Sequence, residues 1–396
     1  FQHHFFIHQL KMPDLLDIIG QDSAISQLQQ AFTGPRRSHA YLFAGQEGIG
    51  KRTTAIEFAK LLLCENPQTL ANKGRLKSLP DDFPLRIPCN TCPSCRTIQA
   101  GTNPDLHIIS KDLAQYLDDS AARSRVMQNL SIDVIRQFLI APAYLASMSG
   151  RGKVFIILQA ETMSQAAQNA LLKTLEEPPN AVTIILTCSS PASLLATTRS
   201  RCQIIRFNPL PVNLVEQLLV EQGVASEEAK FWANMTSGSI GRAMEFSRRR
   251  LYQFKRTLTE TISTASVNDA TNLAAMLMET ADKKISVKKQ LQGTTNAPRE
   301  QSESLTKREN AQFILEILTS IFRDALTIAL QAHRPLVHAD QLDEIKKIAK
   351  KFTLEKLTSI LTQLSRYEQI LWQNVNAKLF WDNVAITCTT AEPLDI

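Results

Sequence analysis

A glycine-rich segment near residue 45 has the spacing of a phosphate-binding loop. It reads Gly45-Gln46-Glu47-Gly48-Ile49-Gly50-Lys51, with an apolar run before it and helically spaced apolar residues after it. In such a loop the backbone N–H groups point at phosphate oxygens, the following helix adds a favourable dipole, and the lysine reaches the outer phosphates. The segment therefore indicates nucleotide binding. A glycine-rich turn without a ligand is the alternative that the spacing alone leaves open.

The position after Lys51 departs from this pattern. A phosphate loop that hydrolyses nucleotide carries a Ser or Thr hydroxyl there, which binds Mg²⁺. Arg52 offers instead a cation that repels the metal. Thr53 is a poor replacement, because one residue turns a helix by about 100°. The candidate nucleotide-binding residues of this loop are Gly45, Gly48, Gly50, Lys51 and Thr53.

The acidic pair that completes a hydrolytic site is also missing. One carboxylate of such a pair holds Mg²⁺ through water and the other polarises the attacking water, at the end of a second strand. The candidate strand, residues 154–158, ends in Leu158-Gln159-Ala160, so neither position at the strand end is acidic. Glu161 comes a few residues late, and we expect it to be an exposed carboxylate near the next helix. The sequence therefore predicts that hydrolysis by this chain is absent or very weak.

Four cysteines indicate a metal site. Cys89, Cys92 and Cys95 lie within seven residues, and Cys64 ends the predicted helix after the phosphate loop. Thiolates at this spacing can share one tetrahedral Zn²⁺, and four cysteines leave no open position, so the zinc is predicted to be structural. It would close the 65–88 insertion, which we expect to be a loop of little apolar content. His107 is the competing fourth ligand.

Strand and helix patterns alternate through residues 40–207. Apolar runs predict strands at 40–44, 106–109, 154–158, 182–187 and 203–207, and helical spacing predicts helices at 54–63, 132–145 and 164–177. This alternation is typical of an α/β fold with a largely parallel sheet, which binds ligands at the carboxyl ends of its strands. The phosphate loop lies at such an end.

Composition limits the function classes. The chain has 396 residues, 44% of them hydrophobic, and no apolar run near the ~20 residues of a membrane span, so we expect a cytoplasmic protein of several domains without membrane contact. A net charge of +6 permits contact with nucleic acid without requiring it. Seven cysteines suit a reducing compartment better than a disulfide framework.

Several of these motifs together resemble the AAA+ clamp-loader subunits of bacterial DNA polymerase III. The resemblance spans residues 19–207 and rests on Ile19-Gly20-Gln21, on residues 39–43 before the loop, on the four cysteines, on residues 169–179 (NALLKTLEEPP), and on Ser200-Arg201-Cys202. In that family an intact phosphate loop and acidic pair mark the motor subunit, and degraded versions mark a non-motor class. This chain resembles the non-motor class.

The resemblance implies roles for two arginines. Arg201 matches the arginine finger that reaches into the ATP site of a neighbouring subunit and stabilises charge on the transferred phosphoryl group. Without the family, an arginine that pairs locally is the alternative. Arg242, within residues 237–243, matches the sensor position of the lid and is therefore a candidate nucleotide-binding residue. A structural role or a role at a subunit interface would explain this arginine equally well. Gln21 lies near where the family holds adenine.

The resemblance also implies a domain order. We predict an N-terminal extension at 1–18, an AAA+ P-loop domain at 19–208 with the zinc-binding insertion at about 64–95, a small helical lid at 209–246, and an all-α collar for oligomerisation at 247–396. Gln290 to Asn310 is polar and is predicted to be a mobile loop or linker.

The resulting prediction is a clamp-loader subunit with little or no ATPase of its own. The implied partners are other loader subunits of the gamma/tau and delta types, the sliding clamp, and primed DNA through the complex. The retained Lys51 leaves ATP binding without turnover open. Two alternatives remain: the ATP-hydrolysing gamma/tau-type motor subunit, and a zinc-stabilised DNA-binding module.

Overall fold

The computed structural model describes residues 14–35, 37–117, 129–179, 181–282, 299–372 and 375–390, and for residues 299–305 it describes the backbone only. The described residues divide into two compact units, with the boundary between Pro209 and Leu210. In the described ranges, no helix combines the length and apolar character needed to cross a bilayer.

A five-stranded parallel sheet forms the centre of the first unit. The strands of this unit, in chain order, are β1 (Ala40–Ala44), β2 (Gln68–Ala71), β3 (Pro84–Ile87), β4 (Leu106–Ile109), β5 (Lys153–Ile157), β6 (Val182–Cys188) and β7 (Gln203–Arg206). The parallel sheet has the order β4-β5-β6-β1-β7, and β2 and β3 pair separately. All five predicted strands are present within one or two residues of their expected ends.

Helices cover both faces of this sheet. They are α1 (Asp22–Thr33), α2 (Lys51–Leu63), α3 (Pro93–Gln99), α4 (Ile132–Ile135, continued by a π-helical turn at Arg136–Ile140 and by Ala141–Ala143), α5 (Gln165–Glu176) and α6 (Ala196–Arg199). Successive residues of β1 point to opposite faces, so that Tyr41 and Phe43 enter one core and Leu42 enters the other. Burial on both faces explains why the strands are continuous apolar runs. The predicted α/β class is confirmed.

The 65–88 insertion differs from the predicted loop. Strands β2 and β3 form an antiparallel hairpin with Gln68 opposite Ile87, and leucines of the insertion pack on the core of the first unit. Fully buried Asn72 orders the connecting turn: its side-chain amide donates to the carbonyls of Leu76 (3.0 Å) and Leu79 (2.9 Å), and it accepts from the Leu76 N–H. One buried amide and a few leucines suffice here, which a count of apolar residues cannot reveal.

The second unit is helical. Its helices are α7 (Val212–Glu221), α8 (Ser226–Met235), α9 (Ile240–Arg248), α10 (Leu251–Thr264), α11 (Ala270–Asp282), α12 (Arg299–Ala329), α13 (Leu342–Lys351), α14 (Leu354–Ile370) and α15 (Ala377–Thr389). One hydrophobic core contains residues from Leu210 to Cys388 and so lies on both sides of the predicted lid–collar boundary. The lid and collar therefore share a core, and the predicted division between them stays a prediction.

The prediction of a loop at Gln290 to Asn310 is wrong for residues 299–310, which are helical; residues 290–298 lie outside the described residues. The reason is long-range packing. Asn310 is buried, accepts from the Arg249 guanidinium and donates to the Ala281 carbonyl (3.1 Å). The next turns of α12 carry Phe313 and other core residues. Tertiary contacts of the later turns thus support a polar first part that has low hydrophobicity of its own.

Candidate functional site

The phosphate loop joins β1 to α2 at the carboxyl edge of the sheet. Its Gly45 N–H donates to the carbonyl of Cys188, at the end of β6 (3.1 Å). Gly48 (φ +77°) and Gly50 (φ +100°) have left-handed backbone conformations that favour glycine, and Gly50 is the residue before α2. The loop therefore has the strand–turn–helix context that a phosphate-binding loop requires.

Gly45 also lies too close to its neighbours for a larger residue. A Cβ at this position would be 2.4 Å from the Phe207 carbonyl oxygen and 2.7 Å from Cδ1 of Ile49. We expect Gly45→Ala to lower the free energy of unfolding of the first unit by about 1–3 kcal/mol, the usual cost of overpacking. Urea denaturation followed by circular dichroism measures this loss. Gly150→Ala is the matched control, since Gly150 also has a positive φ (+70°) but no atom lies within 4 Å of its Cβ position. Equal losses in the two variants would contradict the crowding at Gly45.

Lys51 is the first residue of α2 and is only 8% exposed. Its ammonium donates to the carbonyl of Gly45 and to that of Gln46 (2.6 Å). Burial lowers the pKa of Lys51, and the charges of Glu161 and Glu47 partly offset this effect. The ammonium of Lys51 thus lies at the phosphate loop and donates hydrogen bonds to the backbone of that loop.

The residues after Lys51 supply no clear metal ligand. Arg52 is exposed and Thr53 is half-buried on α2. The Thr54 hydroxyl donates to the Gly50 carbonyl (2.9 Å), inside the first turn of the helix. The position where a hydrolytic loop holds Mg²⁺ is therefore occupied by a guanidinium group.

The end of β5 carries an amide where an acid is expected. Gln159 has a left-handed backbone (φ +49°), and its N–H donates to the Thr187 hydroxyl (3.2 Å). Its side-chain amide donates to Glu47 of the phosphate loop (3.3 Å). Gln159 thus connects β5, β6 and the loop by hydrogen bonds, without the negative charge that holds a metal.

Glu161 is not the exposed carboxylate expected from the sequence. It lies in a one-turn helix, Ala160–Thr162, and is half-buried. Its Oε1 accepts hydrogen bonds from the N–H (2.9 Å) and the hydroxyl (2.6 Å) of Ser189, which follows β6. The short helix after β5 turns this side chain back towards the strand ends, which spacing along the chain does not show.

Gln21 fixes the opposite side of the loop. Its side chain is 2% exposed and donates to the carbonyls of Ile49 (3.3 Å) and Asn208 (2.8 Å), and it accepts from the Asn208 N–H (3.1 Å). Gln21 thus links the phosphate loop to the segment after β7 by hydrogen bonds.

Arg201 lies two residues after α6, and its side chain is 32% exposed. Its guanidinium forms an ion pair with Glu176, the last residue of α5, and donates to the Thr197 carbonyl (2.7 Å). Glu176 belongs to the LEEPP sequence singled out above. The two contacts hold the arginine in one orientation while part of it remains accessible to solvent.

Arg242 belongs to the second unit. Its guanidinium bonds to Glu316 on α12, and it lies 5.7 Å from the centre of the Phe246 ring. Burial raises the pKa of Glu316 to about 6, although the charge of Arg242 opposes the shift. A partner within its own unit therefore engages Arg242, and its assignment to the nucleotide stays a prediction.

The four cysteines come together as predicted. Their sulphur atoms all lie within 4.8 Å of one another, and those of Cys64 and Cys89 are 3.5 Å apart. A tetrahedral zinc with Zn–S distances of about 2.3 Å places its sulphurs about 3.8 Å apart, so the spacing fits one metal ion. All four are free thiols, and three are buried: Cys64, Cys92 and Cys95.

Backbone N–H groups donate hydrogen bonds to the sulphurs of the cluster, which favours the thiolate form that binds metal ions. The N–H groups of Cys89, Cys92 and Cys95 donate to the preceding cysteine sulphur of the cluster at 3.3–3.4 Å. Burial raises the pKa of Cys89, but hydrogen bonds from Thr91 and Cys92 outweigh it and lower the pKa to about 6. These hydrogen bonds favour the thiolate form of Cys89, the form that metals bind, whereas burial raises the pKa of Cys64 and Cys95.

His107 does not join the cluster. Its ring stacks on Phe155 with 4.6 Å between centroids, and burial lowers its pKa. Among the described residues, the group that could hold a metal contains only the four cysteines. The arrangement supports Cys64 as the fourth ligand.

Two family models match the chain on either side of the unit boundary. Residues 20–211 match the model described as DNA polymerase III, delta subunit, and residues 290–389 match that described as DNA polymerase III, delta subunit, C terminal. The chain belongs to the DNA polymerase III delta-subunit family. The clamp-loader resemblance seen in the sequence is thereby confirmed.

Relatives within DNA polymerase III refine this assignment. The chain is 27% identical to the delta-prime subunit of Bacillus subtilis over 92% of this chain and 95% of that protein. It is 28% identical to the delta-prime subunit of Escherichia coli over 60% of this chain and 63% of that protein. The tau subunit of Escherichia coli is 32% identical over 58% of this chain but only 32% of its own length. Both units thus have counterparts in a delta-prime subunit.

Several contacts of this delta-subunit family member could not be foreseen. The Arg151 guanidinium donates to the carbonyls of Cys64 and Glu65 (2.8 Å to Glu65) and so holds the backbone beside the metal cluster. Neither this contact nor the ion pair between Glu176 and Arg201 can be predicted from the spacing or hydrophobicity of residues in the sequence. The cysteine motif and the glycine-rich loop, in contrast, are visible because their chemistry requires residues close in sequence.

Proposed function

We propose that this chain is the delta-prime subunit of a replicative clamp loader and has little or no ATPase activity of its own. In this proposal it assists ATP-dependent placement of the sliding clamp on primed DNA in the cytoplasm. Its partners are gamma/tau-type and delta-type subunits, the clamp, and primed DNA through the complex. The observation that carries the proposal is the pairing of a damaged phosphate loop with an accessible arginine at the family's finger position.

The loss of hydrolysis follows from two sites. Arg52 places a cation where the Mg²⁺-binding hydroxyl belongs, and Leu158 and Gln159 stand at the strand end where the two carboxylates belong. Either change alone weakens hydrolysis, and together they leave neither metal ligand nor polarising base. What the loop retains is Lys51 and the backbone N–H groups, which suit phosphate binding without turnover.

Arg201 supplies the remaining catalytic group in this proposal. Phosphoryl transfer develops charge on the transferred group, and a guanidinium delivered by a neighbouring subunit stabilises that charge. Arg201 is accessible, and Glu176 holds it by an ion pair at the surface. A surface ion pair of this kind contributes little stability, so exchange of Glu176 for a phosphate costs little.

Zinc is the proposed metal of the cysteine cluster. Cys64, Cys89, Cys92 and Cys95 would hold it as thiolates, and the four sulphurs fill its tetrahedral coordination. Bound there, the ion would supply no catalysis; through these cysteines it would join the end of α2 to α3 and close the hairpin insertion. The chemistry of the donor set supports zinc over magnesium or calcium, which prefer oxygen ligands.

The test of the non-motor proposal is steady-state ATP hydrolysis by the purified chain. We expect turnover with Mg²⁺ and primed DNA to be no higher than that of Lys51→Ala, because the metal-binding hydroxyl and the acidic pair are absent. A gamma/tau-type subunit assayed in parallel is the positive control. Turnover that disappears in Lys51→Ala would support the motor subunit instead. Tight, steeply salt-dependent binding of DNA by the isolated chain would support the DNA-binding module.

A further inference from the structure

Glu161 is a carboxylate fixed beside the phosphate loop. The Ser189 N–H and hydroxyl both donate to its Oε1, at 2.9 and 2.6 Å. Its position is therefore set by the ends of two neighbouring strands, β5 before it and β6 before Ser189, and not by a free side-chain rotamer.

A short series of contacts connects this carboxylate to Lys51. The residue before Ser189 is Cys188, whose carbonyl accepts from the Gly45 N–H (3.1 Å). The Gly45 carbonyl in turn accepts from the Lys51 ammonium. Of the charges that oppose the effect of burial on the pKa of Lys51, Glu161 is the largest. The carboxylate and the ammonium are thus linked through the end of β6 and Gly45 of the loop.

The second oxygen of Glu161 has a different environment from the first. Oε2 is buried and, within the described part of the chain, has no hydrogen-bond partner. A buried carboxylate oxygen without a donor is costly unless a cation is near, and the charge of Glu161 raises the pKa of Lys51 against the effect of burial. Glu47, held by Gln159, adds a second negative charge at the same loop.

We propose that Glu161 is a tethered anion that competes with nucleotide phosphates for Lys51, and that this competition sets the affinity of the loop for ATP. Phosphate and carboxylate are both anions, so ATP that binds the loop has to share Lys51 with a charge that cannot leave. Glu161 is a positioning and specificity residue for this chain's own site. The inference does not depend on the action of Arg201 in a neighbouring subunit.

The experiment is calorimetric titration of ATP into the full chain at low salt, in buffer with neither Mg²⁺ nor chelator. We expect Glu161→Gln, which keeps the side-chain shape and removes the charge, to tighten the dissociation constant about tenfold, or ~1.4 kcal/mol. Glu161→Ala removes the same charge without keeping the shape and should act in the same direction. Raising the salt concentration should shrink the difference, because salt screens the attraction of both anions to Lys51.

Two controls test whether the effect depends on Glu161 and Lys51 together. In a Lys51→Ala background the Glu161→Gln substitution should leave ATP affinity unchanged, because the cation for which the two anions compete is gone. Glu65→Gln removes an exposed carboxylate of the same unit and should leave affinity as in the unaltered chain. Melting curves of all variants verify that the fold is kept.

Three results would overturn the proposal. The first is equal ATP affinity, or equal lack of binding, in the unaltered chain and Glu161→Gln. The second is a tightening that persists in Lys51→Ala. The third is weaker binding of Mg²⁺-ATP by Glu161→Gln, which would make Glu161 a metal ligand.

Discussion

Arg201→Ala is expected to lower the ATPase of the reconstituted clamp loader by about 10³-fold or more, the range for removal of an arginine finger. The guanidinium is partly exposed, and among the described residues its polar contacts are with the Glu176 carboxylate and the Thr197 carbonyl. Its removal leaves the core of the first unit intact, so we expect normal assembly. The measurement is steady-state hydrolysis with clamp and primed DNA, together with gel filtration of the complex.

Three further variants separate a catalytic effect of Arg201 from a structural one. Arg201→Lys keeps the charge but loses the planar fork, and should remain strongly impaired. Glu176→Gln removes the ion-pair partner within the chain and should retain most of the turnover. Arg199→Ala alters a neighbouring arginine whose guanidinium donates weakly to the Pro191 carbonyl (3.4 Å), and should have little effect. Full ATP hydrolysis by the complex that contains Arg201→Ala would contradict the assignment of Arg201 as an arginine finger.

Loss of the metal is expected to open the insertion. Metal analysis of chain purified without chelator should give about one zinc per chain for one Cys₄ site. Zinc contributes roughly 10–16 kcal/mol in zinc-finger peptides, so its loss would remove a large stabilising contribution beside the contacts of the hairpin itself. We expect Cys95→Ser to lose the ion and to expose residues 65–88 to limited proteolysis. Protease sites mapped by mass spectrometry are the measurement.

Cys202→Ser is the matched control for the metal site. Cys202 lies in the same unit, is half-buried, and is outside the cluster. It should retain zinc and protease resistance. Chain purified without chelator that contains no metal, or Cys95→Ser that retains it, would argue against the four-cysteine site.

The features of this molecule that can be predicted from its sequence are those determined by residues close together in the chain. Burial on both faces makes each sheet strand an apolar run, and the phosphate loop and CxxCxxC spacing are compact enough to see directly. The hairpin was missed because one buried residue, Asn72, orders its turn. The first part of α12 was missed because residues distant in sequence pack against it. Glu161 was misplaced because a left-handed Gln159 and a one-turn helix redirect the chain after β5.

Helix α2 begins at Lys51 of the phosphate loop, and Cys64 of the metal cluster is the residue that caps its other end. Its 13 residues span about 20 Å as a single stiff element. If the ion changes the affinity for nucleotide by some factor, the nucleotide must change the affinity for the ion by the same factor, because binding free energies are reciprocal. If one stiff helix transmits such an effect between the two motifs, metal content is one of the variables that set nucleotide occupancy.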